Sequence, residues 1–230
     1  MKDCSRHLVV YRKGMDIYMN QEIEIVSPGE IEKRSFEIIS AELEARKVIL
    51  PKEQEMITKR VIHTSADFDY ADTMVYSENA IEIAKNLIIN GADIVTDTNM
   101  AMSGINKKIL KRFGGEVHCF MADEDVAAEA KKRQVTRATV SMEKAKSISK
   151  PLIFAVGNAP TALIRLYEMV MSGEFSPAFI IGVPVGFVNV EVAKELIMKT
   201  DVPFIVNRGR KGGSNVAAAI CNALIYEISR

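Results

Sequence analysis

The sequence predicts a doubly wound α/β fold: a mainly parallel, five-stranded sheet flanked by helices, with two helices and a short extension ahead of it. Three observations carry this expectation. From residue 78 onward, short apolar runs alternate with segments of helical periodicity. The apolar runs are continuous rather than alternating, as in strands covered on both faces. Each is separated from the next by a segment long enough for a helical crossover, which implies parallel pairing.

The elements follow in order. Residues 1–26 read as an extension with a possible strand pair, HLVVY then IEIV, and residues 27–230 as one α/β domain. Ser27-Pro28 predicts a helix start, since Ser caps well and Pro suits the first helical position. Ile31, Ile38, Ile39 and Leu43 then recur at helical spacing. Pro51 opens a second helix, expected to end near His63-Thr64. A helix from Asn79 to Asn90 is closed by Gly91. The strand ADIVTD (92–97) leads to a helix at 105–112, ended by Gly114-Gly115. EVHCFM (116–121) is the next strand, followed by helical runs at 123–132 and 142–147. PLIFAVG (151–157), AFIIGVP (178–184) and PFIVNRG (203–209) are strands. Helices at 161–172, 190–199 and 214–228 follow them in turn.

Composition removes several function classes. Of 230 residues, 48% are hydrophobic and 26% charged, a profile of globular proteins. Thirty basic residues balance thirty acidic ones, so the basic excess of a general nucleic-acid binder is missing. No apolar stretch approaches the length of a membrane span, so no membrane partner is expected. Cys4, Cys119 and Cys221 form no CxxC, which fits a reducing cytoplasm better than a disulfide framework.

In doubly wound sheets, ligands bind outside the carboxyl ends of the strands. The segments leaving those ends are TDTNMAMSG, MADED, GNAPTA, GVPVGFVN and NRGRKGGSN. They are rich in Gly, Pro, Asn and Thr, which allows close backbone approach to a ligand. The run 207–215 is the most unusual. Its glycines permit sharp turns, it enters a helix, and Arg208, Arg210 and Lys211 add positive charge, so it can hold an anion. It matches neither GxxxxGK[ST] nor GxGxxG. A plain strand–helix turn with solvated basic residues is the competing reading. Arg34-Ser35 and Thr136-Arg137 are further pairs of an anion-binding type, although a helical Arg is most often a solvated face.

His63 lies at a predicted helix end, where carbonyl dipoles favour imidazolium, so it is a candidate proton donor. A capping or packed histidine is the alternative. His118 lies inside a strand beside Cys119, and adjacent strand residues face opposite ways, so the two do not converge on one metal. A satisfied structural histidine is expected there. Three scattered histidines without HExxH give no zinc motif.

RVIHTSAD (60–67), TDTNM (96–100), GNAPTAL (157–163), GVPVGFV (182–188) and GRKGGSN (209–215), in this order, resemble the precorrin-8X methylmutase family. The resemblance runs from about Ser35 to Leu224. Thr64-Ser65 and Asn99 depart from the more usual residues at their positions. The resemblance implies an isomerase of corrin-ring biosynthesis that moves a methyl group from C-11 to C-12 of precorrin-8X or cobalt-precorrin-8. The products would be hydrogenobyrinate or cobyrinate. It further implies no cofactor, a homodimer, and a tetrapyrrole held near the subunit boundary. His63 would protonate or hydrogen-bond the ring. Ser35 and Arg137 match positions that touch substrate. Arg34 and Thr136 are their neighbours. Asn158, Thr161, Gly186, Arg210, Gly212, Gly213 and Ser214 would line the same ligand. Two other readings are a corrinoid-binding protein without turnover, which would not need His63, and a phosphate-ligand enzyme using the 207–215 loop.

Overall fold

The computed structural model describes residue 24 and residues 26–229. The expected strand pair HLVVY and IEIV falls almost wholly outside these residues. The described chain runs α1 (Ile31–Ala45), α2 (Lys52–Ser65), α3 (Tyr70–Thr73), β1 (Met74–Tyr76), α4 (Ala80–Ile89), β2 (Asp93–Thr96), α5 (Asn99–Gly104), α6 (Lys107–Leu110) and β3 (Val117–His118). It continues α7 (Glu124–Arg133), α8 (Arg137–Lys144), β4 (Leu152–Val156), α9 (Pro160–Met171), β5 (Phe179–Gly182), α10 (Val190–Ile197), β6 (Phe204–Asn207) and α11 (Ser214–Ser229).

The strands form one sheet in the order β1-β6-β5-β4-β2-β3. All neighbours are parallel except β1, which runs antiparallel to β6 with Val75 opposite Val206. The sheet therefore has six strands rather than the five expected. The added strand has three half-buried residues, too few to show a period of two. It covers the edge of β6, and Ser77 extends the pairing: its N–H donates to the Phe204 carbonyl and its Oγ accepts from Phe204 N–H.

Every residue of β2, β4, β5 and β6 is buried, which is why these strands read as continuous apolar runs. Successive side chains go to opposite faces. Ile153, Ala155, Phe179, Ile181 and Ile205 pack under α2, α4, α5 and α11. Phe154, Val156, Ile180 and Val206 pack under α8, α9 and α10. Ala217, Ala218 and Ala223 of α11 are buried against this first layer.

Three helix boundaries differ from expectation. Ser27 and Pro28 form a turn, and the first helix begins at Ile31. The helix expected from Met142 starts at Arg137, because Thr136 caps it by accepting from Thr139 N–H. The helix expected at 105–112 is the short α6 followed by a 3₁₀ turn at Lys111–Phe113, and α5 precedes it as a separate helix.

The chain leaves β2 toward β3 on one side and resumes at β4 on the other, so the winding reverses between β2 and β4. Crevices in open α/β sheets lie at such points. Here the loops are pressed together. A Cβ on Gly157, just past β4, would sit 2.7 Å from the Gly213 carbonyl oxygen and from Ser214 Cα. A Gly157→Ala substitution should therefore destabilise the protein by about 1–3 kcal/mol through forced separation of these backbones. Urea unfolding measures this, and an unchanged midpoint would contradict the packing described.

Candidate functional site at the carboxyl edge of the sheet

The edge is organised by a carboxylate. Asp97 directly follows β2 and is fully buried. Its Oδ1 accepts from Gly157 N–H at 2.8 Å, and its Oδ2 accepts from Asn158 N–H at 2.8 Å and Ala159 N–H at 2.6 Å. Burial holds the Asp97 carboxyl above its ordinary range, and the three N–H donors oppose that shift without cancelling it. The contact bridges the two strands flanking the winding reversal. It also fixes the entry to α9, so that Asn158 is exposed in the loop and Thr161 lies in the first turn. Thr161 Oγ1 is 2.8 Å from Thr136 Oγ1, which joins the loop to the N-terminus of α8, where Arg137 is the first residue.

The Gly-rich run after β6 is fixed from below by a second buried charge. Lys194 on α10 has no exposed surface, and its Nζ donates to the carbonyls of Gly209 at 2.7 Å and Lys211 at 2.8 Å. Burial lowers its pKa from 10.5 to about 8. Asn207 Nδ2 donates to the same Lys211 carbonyl and accepts at Oδ1 from Thr73 Oγ1. Gly213 N–H donates to the Val183 carbonyl, and Gly186 N–H to the Arg210 carbonyl, which ties the runs after β5 and β6 together. Gly209 and Gly213 have φ of 72° and 145°, which an L side chain rarely adopts. Ser214 opens α11 and its Oγ is 2.7 Å from Thr98 Oγ1.

Nine of the expected residues thus share this edge: Thr136, Arg137, Asn158, Thr161, Gly186, Arg210, Gly212, Gly213 and Ser214. Among the described residues, His63 is linked to the edge only through the chain that follows it. It sits in the last turn of α2, and Lys211 Nζ is 2.6 Å from both Asp67 Oδ2 and Asp69 Oδ2 in the segment that follows. The imidazole is half-buried, stacks on Phe36, and makes no hydrogen bond among the described residues.

The expected cations divide sharply. Arg34 is bound by Glu24 at 2.6 Å and faces Glu37. Arg208 pairs with Glu195, and Arg210 pairs with Glu191 at 2.8 Å. Arg137 is exposed and makes no ion pair among the described residues. Ser35 Oγ donates to the Ile31 carbonyl within α1. His118 is satisfied at the other end of the sheet: its Nε2 is 2.9 Å from Asp93 Oδ2, at the start of β2. Burial raises the Asp93 carboxyl, but bonds to His118, Lys150 and Glu116 N–H hold it below its usual range.

Sequence reasoning missed Asp97 and Lys194. Both carried a signal. Asp97 is a carboxylate closing an otherwise apolar strand. Lys194 lies four residues after Val190 and three before Ile197, on the apolar face of its helix.

The chain's relatives agree on one family. The precorrin-8X methylmutase family model matches residues 30–227. A cobalt-precorrin-8 methylmutase of Priestia megaterium is 44% identical over 199 residues, 86% of this chain and 88% of that protein. One from Salmonella typhimurium is 42% identical over 210 residues, 89% of this chain and 97% of that protein. A solved structure of the precorrin-8X methyl mutase from Thermus thermophilus superposes with a TM-score of 0.77 at 36% identity, over 87% of this chain and 98% of that one.

Two expectations follow from the buried charges. Asp97→Ala leaves three N–H groups without their acceptor and should cost about 3 kcal/mol in urea unfolding. For Lys194, the unfolded chain holds the proton up to about 10.5 and the folded chain only to about 8. Between these values the unfolded state binds more protons, so the stability contributed by this group rises with pH, by about 3 kcal/mol over the window. The stability difference between wild type and Lys194→Met should therefore shift in favour of wild type from pH 7.5 to pH 10. A pH-independent difference would contradict the buried ammonium.

Proposed function

This chain belongs to the precorrin-8X methylmutase family, and on that premise we propose that it is an isomerase of cobalamin biosynthesis acting on precorrin-8X or cobalt-precorrin-8. It moves a methyl group between neighbouring ring carbons, C-11 to C-12, an intramolecular transfer with no change of oxidation state. The observation that carries the mechanistic reading is the position of His63. It lies at a helix end, half-buried, without a hydrogen bond among the described residues, and the segment after it is joined through the Lys211 clasp to the glycine-rich edge.

The substrate is a flat apolar ring edged with carboxylates. The edge offers matching chemistry. Arg137 can form a charge-assisted bond to a carboxylate. The first turn of α11, entered through Gly212, Gly213 and Ser214, presents backbone N–H groups and the positive end of a helix dipole. Asn158 and Thr161 add neutral donors. His63, donating a proton or strong hydrogen bond to the macrocycle, draws electron density from the conjugated ring as the methyl group moves. Positioning supplies the remainder of the rate, and the reaction calls for no added cofactor.

The enzyme acts as a cytoplasmic homodimer in this reading. Val185, Phe187, Val188 and Val192 are exposed beside the edge, Phe187 to 82%, and a second subunit or the macrocycle would cover them. Sedimentation at micromolar concentration should give twice the chain mass, and a monomer would contradict the dimer. Exhaustive chelation should leave turnover intact, and activity restored by one specific metal would contradict the cofactor-free reaction.

Purified protein mixed with precorrin-8X, and separately with its cobalt form, should change the visible spectrum to that of the product. His63→Asn should reduce the single-turnover rate by about 10²–10⁴ while still binding product. A wild-type rate would remove the proton-donor role. Arg137→Ala should weaken product binding by about 1.5–3 kcal/mol, with less salt sensitivity than wild type. Equal salt sensitivity would remove Arg137 from the carboxylate site.

A further inference from the structure

A proton donor must be held at one angle, because small misplacement of a reacting group lowers the rate steeply. His63 has no hydrogen bond among the described residues to do this. An aromatic ring touches it instead. Phe36 on α1 stacks on the imidazole with centroids 5.6 Å apart and planes inclined by 24°.

Phe36 is itself fixed. The guanidinium of Arg60 lies 4.9 Å from the centroid of the Phe36 ring. Arg60 precedes His63 by three residues on α2, so the two project from neighbouring positions on one helix face, and a single ring from α1 spans both. Arg60 is only 8% exposed. It pairs with Glu32 at 2.7 Å and lies 5.7 Å from the Tyr226 ring. Its Nε is buried and has no hydrogen-bond partner among the described residues. An unmet buried donor on a charged group costs stability. A cation placed over an aromatic face recovers part of that cost, and the same contact fixes the ring against which His63 rests.

Accepting the function proposed above, we infer that Phe36 is a positioning residue for this site: its ring sets the angle of the His63 imidazole, and Arg60 sets the ring. Stacking suits the task. It engages the face of the imidazole and leaves both nitrogens, which lie at the ring edge, available to the macrocycle. A hydrogen-bonded orienting partner would occupy one of them. A ring that merely filled the gap between α1 and α2 would affect stability but not the orientation of His63.

The test combines NMR with kinetics. The chain has three histidines, so the ring-proton resonances of His63 are identified by their loss in His63→Asn. In the wild-type protein they should be displaced upfield by the Phe36 ring current. In Phe36→Leu that displacement should vanish, and the single-turnover rate on precorrin-8X should fall about tenfold to a hundredfold with product affinity unchanged. Phe36→Tyr should restore both. Wild-type His63 resonances at the unstacked position would overturn the inference without any variant, which keeps it falsifiable where Phe36→Leu fails to fold. A wild-type rate in Phe36→Leu, or a loss of binding instead of rate, would also overturn it. A fully active His63→Asn protein would instead overturn the proton-donor role, with the ring-current displacement of wild type unaffected.

Discussion

The Asp97 carboxylate, which accepts the N–H groups of Gly157, Asn158 and Ala159, is the interaction on which the site depends. It lies where the winding of the sheet reverses, and it joins the end of β2 to the loop after β4. With that loop fixed, Gly157 meets the backbone at 213–214, and Gly213 in turn donates to the Val183 carbonyl. The runs that follow β2, β4, β5 and β6 are thereby tied to one another before any ligand arrives. An anion-binding loop is usually read as N–H groups waiting for a ligand. Here several of those N–H groups are already used, so the recognition proposed above falls to side chains and to the first turn of α11.

The buried and paired charges follow the same logic. Lys194 stabilises the 209–211 turn through two carbonyls. Lys211 spans to Asp67 and Asp69, which brings the segment after His63 to the edge. Arg34, Arg208 and Arg210 are matched by carboxylates of the chain itself. Arg137 is the exception among the cations expected at the site. On the proposed function, a carboxylate-rich substrate would meet one guanidinium held ready at a helix start, a helix dipole, and a set of neutral donors. Reaching Arg210 would require it to exchange Glu191 for the ligand.

The alternation of helices and apolar strands was legible because strands buried on both faces leave an unbroken apolar signature, as in LIFAV and FIIG. β1 was not legible, since three half-buried residues carry no period. The start of α8 was missed because Thr136 acts as a cap, although its hydroxyl also reaches Thr161. The strand-end loops could be singled out from Gly, Pro and Asn content. What they touch could not. The glycines at 157 and 212 serve close approach between loops, and a glycine looks the same in sequence whether backbone or ligand fills the space beside it. Asp97 and Lys194 were hidden for a related reason: burial of a charge is set by partners distant in sequence. The stack of Phe36 on His63 joins two helices and left no trace in local pattern.

Amide hydrogen exchange of the ligand-free protein tests most directly whether this edge is built in advance by its internal bonds. Groups in pre-formed, buried hydrogen bonds exchange only through large openings, whereas loop amides exchange through small ones. The account predicts that Gly157, Asn158 and Ala159 are protected to nearly the level of the β4 amides, and that Gly213 is protected with them. Exchange of these amides at the rate of exposed loops would show that the edge forms only around its ligand, and would contradict the account.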